Sequence, residues 1–134
     1  MTKVYLVGVE QEIAGQIFRA LDARSHRIRQ HSRDVVMRKL QDADIVFAGG
    51  ESAWYLTLLK RVREARPALP FVVITRIAET KEWLDALEAG ATDYCSVPIE
   101  TRQLRWLMES AILATHLEGR AEPQRLTGKP IRKK

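Results

Sequence analysis

The sequence predicts an α/β fold built on a doubly wound, five-stranded parallel sheet, and three observations support this prediction. Short apolar runs of the kind expected for buried parallel strands recur along the chain. In the intervening segments, apolar residues stand three or four positions apart, the spacing of an amphipathic helix. The connections between the two kinds of segment are only a few residues long. Strands that alternate with helices in this way form a parallel sheet covered on both faces.

The first half of the chain contains three strand candidates and two helix candidates. Residues 4–7 form the first apolar run, and the first helix is predicted by residues at helical spacing, Ile13, Ile17, Phe18 and Leu21. Residues 25–31, centred on Ile28, are a weaker strand candidate. Ser32 is expected to cap a second helix, whose apolar positions are Val35, Val36 and Leu40. Residues 44–48 are the third predicted strand.

The second half of the chain continues the alternation. Leu56, Leu59 and Val62 mark the third helix, which must end near Pro67 and Pro70. Residues 71–75 are the clearest strand, and residues 80–89 are predicted to form a helix closed by Gly90. After a fifth strand at residues 94–97, Thr101 is expected to cap a last helix that extends to about His116.

Length and connection rules narrow the topology further. A chain of 134 residues with 46% hydrophobic and 29% charged residues fits one ordinary domain. Right-handed crossovers leave few ways to connect the elements, and the flavodoxin-like strand order 2-1-3-4-5 is favoured at this size. Domains of this class have many different functions, so the fold does not give the function.

The chain is expected to work in the cytoplasm and away from membranes. No apolar run approaches the roughly 20 residues that a membrane span needs, and the N-terminus lacks the pattern of a signal peptide. The single cysteine, Cys95, lies in an apolar run, which excludes an intramolecular disulfide and fits a reducing compartment.

The net charge of +5 is concentrated at the C-terminus. Residues 117–134 carry two acidic side chains and six basic ones, which are Arg120, Arg125, Lys129, Arg132, Lys133 and Lys134. Residues 1–116 carry sixteen basic and fifteen acidic side chains. With few apolar residues in the tail, the sequence predicts one domain over residues 1–116 and a flexible basic tail over residues 117–134.

Residues 86–99 (ALEAGATDYCSVPI) place a glycine at a helix end, then a short turn, an apolar strand and a proline. This pattern resembles the end of a response regulator receiver domain, the module of two-component signal transduction and phosphorelays. The resemblance covers roughly residues 3–116. Its strongest parts are the Ala-Gly-Ala-x-Asp-Tyr turn with the strand and proline that follow, and Thr75 at the end of the fourth strand.

The resemblance implies five functional positions, most of which are altered in this chain. In a working receiver, an acidic pair after the first strand holds magnesium, an aspartate after the third strand accepts the phosphoryl group, and a Thr or Ser and a lysine bind its oxygens. The acidic pair corresponds to Gly8 and Val9, the acceptor to Gly49 and the lysine to Val97, so that only Thr75 remains. Glu10 is a lone carboxylate nearby, which is a poor magnesium site. The chain is therefore interpreted as a degenerate receiver, or pseudo-receiver, with no metal and no cofactor.

The resemblance also points to a surface formed by the fourth predicted helix, the fifth strand and the fifth helix. Thr75 and Tyr94 occupy the positions of the receiver switch, although Tyr94 could equally be a packing residue. In the last helix, Leu104, Leu107, Met108 and Ala111 form the core stripe, and Trp106 and Leu113 lie opposite it. With Trp83 and Tyr94, they are the predicted protein interface.

No catalytic triad, P-loop or metal-ligand spacing occurs, so an enzyme is not expected. The Gly49-Gly50-Glu51-Ser52 segment could bind an anion at a helix N-terminus, but a tight turn explains it as well. We interpret the chain as a phosphorylation-independent signalling module that binds a protein partner, which could be a second copy. One alternative is a nucleic-acid-associated regulator that uses the basic tail. Another is a receiver whose tail leads to an output domain.

Overall fold

The computed structural model describes the backbone of residues 1–35 and 37–120 and the side chains through residue 113, apart from Val36. Strands and helices alternate along this part of the chain as β1 (Thr2–Val7), α1 (Gln11–Ala20), β2 (His26–His31), β3 (Ile45–Ala48), α2 (Ser52–Ala65), β4 (Phe71–Thr75), α3 (Thr80–Glu88), β5 (Asp93–Ser96) and α4 (Thr101–Arg120). All the strand pairs are parallel, and the order in the sheet is β2-β1-β3-β4-β5. The predicted fold class and strand order are confirmed.

Alternate residues of β1, β3, β4 and β5 enter two separate cores, as the period of a β-strand requires. On one face of the sheet, Val4 and Leu6 pack with residues of α1 and α4. On the other face, Tyr5 and Val7 pack with α2 and with Ala86 of α3. The four residues of the predicted core stripe in the last helix, Leu104, Leu107, Met108 and Ala111, are all buried. The interpretation of that helix face is confirmed.

The second predicted helix does not form as an α-helix. In the described part of the connection between β2 and β3, Met37–Leu40 is a single 3₁₀ turn. The Ser32 hydroxyl donates to the Asp34 carboxylate and does not cap a helix. Leu40 is nonetheless fully buried. A segment of about nine residues is shorter than the length at which an isolated helix is stable. Leu40 can bury its apolar side chain from a 3₁₀ turn, so an α-helix is not needed there. Because the second predicted helix is not an α-helix, the predicted third, fourth and fifth helices correspond to α2, α3 and α4.

Two helices bury fewer apolar side chains than their spacing suggested. Phe18, one of the apolar positions of the first predicted helix, is exposed in α1, and so are Leu84 and Leu87 in α3, although they stand three positions apart. The residue of α3 that reaches the core is Ala86, whose small side chain allows the helix to approach the sheet closely. The end of α3 is as predicted, because Gly90 has φ of +105°, a conformation that glycine adopts easily.

Two of the helix N-termini differ from the predicted caps, and the last helix is longer than predicted. Ser52 is the first residue of α2, and the capping position belongs to Glu51, which makes no side-chain capping bond. Helix α4 begins at Thr101 and continues to Arg120, so the first residues of the predicted tail are helical. The remaining tail residues, which include Arg125, Lys129, Arg132, Lys133 and Lys134, lie outside the described residues. The flexible tail stays a prediction.

No helix in the described part of the chain is long and apolar enough to cross a membrane.

The buried Cys95 thiol provides a first testable prediction. Burial raises the pKa of this thiol to about 12, and the nearby Asp93 carboxylate adds to the rise. At pH 8 the thiolate fraction is therefore very small, and a disulfide reagent such as Ellman's reagent should not modify the native protein. After unfolding in denaturant, Cys95 should react at the rate of an ordinary thiol. Rapid modification under native conditions would contradict this placement of β5.

Candidate functional site

The candidate site lies where β1, β3 and β4 end, at the carboxyl edge of the sheet. This is the edge at which open α/β sheets bind ligands. Gly49 and Thr75 line a cavity of about 260 Å³ here, together with Glu10, Ile13, Gly50, Glu51, Ile74 and Arg76. The Gly49 amide donates to the Val7 carbonyl at 3.2 Å, which places the end of β3 beside the end of β1.

The other positions singled out in the sequence lie along the same edge. Gly8 follows β1 directly, and the Val97 amide after β5 donates to the Thr75 carbonyl at 2.9 Å. The side chains of Val9 and Val97 pack against the core that α1 and α4 share. The structure thus brings the four altered positions and Thr75 to one edge, but only Gly49 and Thr75 of these five line the cavity.

Gly8 lies directly under the ring of Trp54. A methyl group placed on Gly8 would be 2.7 Å from Trp54 Cζ3 and 2.8 Å from Cη2, well inside van der Waals contact. Gly8 also has φ of +67°, which disfavours any other residue. The Trp54 ring therefore occupies the space that a side chain at position 8 would need.

Contacts with the segment after β2 hold Trp54 in this position. Its Nε1 donates to the Arg33 carbonyl at 3.1 Å. The Arg33 guanidinium lies 5.5 Å from the centre of the indole ring and 3.9 Å from the Glu51 carboxylate. The first turn of α2 is thus joined to the connection between β2 and β3, across the end of β1.

Gly49, which the resemblance assigns to the position of the phosphoryl acceptor, has little space for a side chain. A methyl group on Gly49 would be 3.2 Å from the Ile74 carbonyl oxygen and 3.4 Å from the Val9 Cα. Both neighbours are backbone atoms, which cannot move aside as a flexible side chain can. The end of β3 is therefore packed closely between β4 on one side and the segment after β1 on the other.

Arg76, the cation in the cavity lining, forms ion pairs with two carboxylates. Arg76 donates to the Glu10 carboxylate and to the Glu12 carboxylate, each at 2.7 Å. These hydrogen bonds, the one to Glu10 foremost, raise the pKa of Arg76 above its ordinary value. Among the described residues, no group of three or more His, Cys, Asp and Glu side chains could hold a metal ion. Sequence reasoning identified Glu10 but missed Arg76 and Glu12, which join it only in the folded chain.

Thr75 and Tyr94 lie at the predicted switch positions, and both make internal hydrogen bonds. The Thr75 hydroxyl donates to the Ile77 carbonyl at 2.9 Å. The Tyr94 hydroxyl donates to the Glu82 carboxylate and accepts from the Glu79 amide, each at 3.3 Å. Tyr94 is only 7% exposed, so its ring lies in the core and not on the predicted interface. Its role there is to join β5 to α3.

The other predicted interface residues are exposed, but they do not form one patch. Trp106 is 65% exposed and borders a cavity of about 190 Å³ beside Thr92 and Asp93, next to β5. Trp83 borders a cavity of about 200 Å³ with Tyr94, also next to β5. Leu113 is 58% exposed and lies with Thr2 and His26, at the start of β1 and β2. Trp83 and Trp106 therefore flank β5, and Leu113 lies elsewhere.

The parallel sheet in this order, with helices on both of its faces, has the fold of response regulator receiver domains. The receiver domain protein from Clostridium thermocellum has a TM-score of 0.75 and 17% identity, over 87% of this chain and 98% of that one. No model of a known protein family matches the sequence.

Curated relatives are similar over part of the chain. Response regulator protein PilR of Pseudomonas aeruginosa is 27% identical over 103 residues, which are 77% of this chain and 23% of PilR. Transcriptional regulatory protein ZraR of Salmonella typhimurium strain LT2 is 29% identical over 68 residues, 51% of this chain. The match spans only 15% of the length of ZraR.

Proposed function

We propose that this domain is a pseudo-receiver, a cytoplasmic signalling module of the receiver type that works without phosphorylation and binds a protein partner. The surface proposed to bind the partner consists of α3, β5 and α4. The proposal rests above all on Gly49, which corresponds to the acceptor position and has no side chain to accept a phosphoryl group. Without an acceptor there is no phosphoryl transfer, so the domain is not proposed to be an enzyme.

The remaining groups of the site support the same conclusion. Val97 has no charge with which to bind phosphoryl oxygens, and its side chain packs against the core. The Glu10 and Glu12 carboxylates are engaged by Arg76, a cation that belongs to the chain itself. A magnesium ion would have to compete with this guanidinium for both carboxylates.

The exposed side chains of α3 and α4 support protein binding. Trp83, Leu84 and Leu87 of α3 are exposed, and so is Trp106 of α4, on the other side of β5. Exposed tryptophan side chains are typical of protein interfaces, where tryptophan is among the residues that contribute most to binding. A second copy of the chain is the partner that can be tested directly.

Treatment with a phosphoryl donor tests the central claim. Incubation with acetyl phosphate and magnesium should leave the intact mass of the protein unchanged, since no side chain occupies the acceptor position. A working receiver domain, treated in parallel, should gain the mass of one phosphoryl group. Magnesium with beryllium fluoride should likewise leave the tryptophan fluorescence unchanged. A phosphoryl adduct on residues 1–116, located by peptide mapping, would contradict the proposal.

A further inference from the structure

The β2 edge of the sheet carries a local excess of positive charge. Residues 22–39 contain six basic side chains and only two acidic ones, Asp22 and Asp34. β2 pairs with β1 alone and so forms one edge of the sheet. Residues 1–116 as a whole are nearly neutral, because acidic side chains elsewhere in the domain balance this excess.

Three of these basic residues, Arg27, Arg29 and Lys39, lie near one aromatic pair and are called the basic edge below. In the pairing of β1 with β2, Arg29 stands opposite Tyr5 and Arg27 stands opposite Lys3. The rings of Tyr5 and His31 stack with their centres 5.2 Å apart. Burial lowers the pKa of His31, and the neighbouring Lys39 and Arg29 lower it further. Burial and the Asp42 carboxylate raise the pKa of Tyr5, whereas Arg29 and Arg27 oppose that rise. The positive charges of Arg27, Arg29 and Lys39 are therefore close to the Tyr5–His31 pair.

No carboxylate of the described residues forms a salt bridge with the basic edge. Asp42 lies on the same face of the sheet, but it accepts from the Tyr5 hydroxyl and lies 3.6 Å from the Lys3 ammonium. Arg27, Arg29 and Lys39 are exposed. The basic edge is therefore accessible to a ligand.

We propose that the basic edge binds the sugar–phosphate backbone of a nucleic acid. Residues two apart on a strand point to the same face and stand about 6.6 Å apart, so Arg27 and Arg29 form a row. A row of charges suits a linear polyanion better than a single small anion. The arginine guanidinium can also bind two phosphate oxygens at once. Contacts to phosphate alone are independent of base sequence. This proposal goes beyond the proposed protein binding, which takes place at the opposite edge of the sheet.

The experiment measures binding of the full chain to a short, labelled DNA duplex of random sequence by fluorescence anisotropy at several salt concentrations. The double variant Arg27→Gln/Arg29→Gln should make the slope of log affinity against log salt shallower by about two. Lys60→Gln/Arg61→Gln removes the same charge from exposed positions of α2 and should leave the slope as in the wild type. Arg27→Lys/Arg29→Lys, which keeps the charge, should also keep the slope.

Further variants separate this proposal from its competitors. Thermal melting checks that each variant is folded, and Lys39→Gln, outside the strand, should by itself reduce the slope by about one. The absence of DNA binding by the wild type, or equal losses in the β2 and α2 variants, would overturn the proposal. A loss of DNA binding confined to the variant Arg132→Gln/Lys133→Gln would also overturn the proposal, because it would assign binding to the tail. Equal affinity for poly-glutamate would indicate an acidic protein partner instead. None of these outcomes bears on the proposed phosphorylation independence.

Discussion

Replacing Gly8 with alanine is expected to lower the free energy of unfolding by about 2–5 kcal/mol. Two costs add up: a left-handed backbone conformation costs a non-glycine residue about 1–2 kcal/mol, and overpacking costs about 1–3 kcal/mol. Both apply here, because Gly8 has φ of +67° and the new methyl group would lie 2.7 Å from the Trp54 ring. Chemical denaturation followed by circular dichroism measures the change.

A matched variant and a double-mutant cycle make this test specific. Gly15→Ala places a methyl group within α1, where it meets only the flexible end of Arg19, and it should stabilise the protein by up to about 1 kcal/mol. Trp54→Ala should remove the clash, so Gly8→Ala should cost less in that background, with only the backbone strain left. Equal costs of Gly8→Ala with and without Trp54 would show that the ring does not restrict position 8.

Replacing Trp106 with alanine is expected to weaken self-association by about 2 kcal/mol or more, the usual contribution of an aromatic residue at an interface centre. It should change the thermal midpoint little, because the Trp106 side chain is 65% exposed and leaves no core cavity when removed. Sedimentation velocity over a range of protein concentrations gives the association constant of wild type and variant.

Leu113→Ala is the matched control on the same helix. Leu113 is also exposed, but it lies beside Thr2 and His26 and not beside β5. It should therefore leave association unchanged, whereas Trp83→Ala, on the β5 side, should weaken it. An effect of Leu113→Ala equal to that of Trp106→Ala would move the interface to the outer face of α4. A large drop in melting temperature for Trp106→Ala without a change in association would contradict the interface altogether.

Much of the fold could be predicted from the sequence because buried strands and the core stripe of α4 have clear apolar patterns. The prediction failed where the apolar pattern does not determine which apolar residues face the core. In α3 the small Ala86 faces the core while Leu84 and Leu87 are exposed. Between β2 and β3, apolar spacing suggested a helix, but a 3₁₀ turn is enough to bury Leu40.

The candidate site could be located but not completed from the sequence. The resemblance placed Gly8, Gly49 and Val97 at the ends of their strands, and the structure brings those strand ends together. The contacts that define the site come from residues far apart in the chain. Arg76 and Glu10 are 66 positions apart, and no local spacing signals their pairing. The packing of Trp54 on Gly8 is likewise a tertiary contact.

The position of Trp54 over Gly8 has a consequence for how such a domain can evolve. A side chain at position 8 would collide with the indole ring, and the Cβ of one at position 49 would lie 3.2 Å from a backbone oxygen. A substitution towards phosphorylation chemistry at position 8 would therefore destabilise the protein before any activity appeared, because the acceptor, the metal ligands and the lysine are all needed together. Selection would remove such variants. For a lineage that relies on partner binding alone, the loss of phosphorylation would therefore be difficult to reverse. Its descendants are expected to diversify their surfaces and not to regain the reaction.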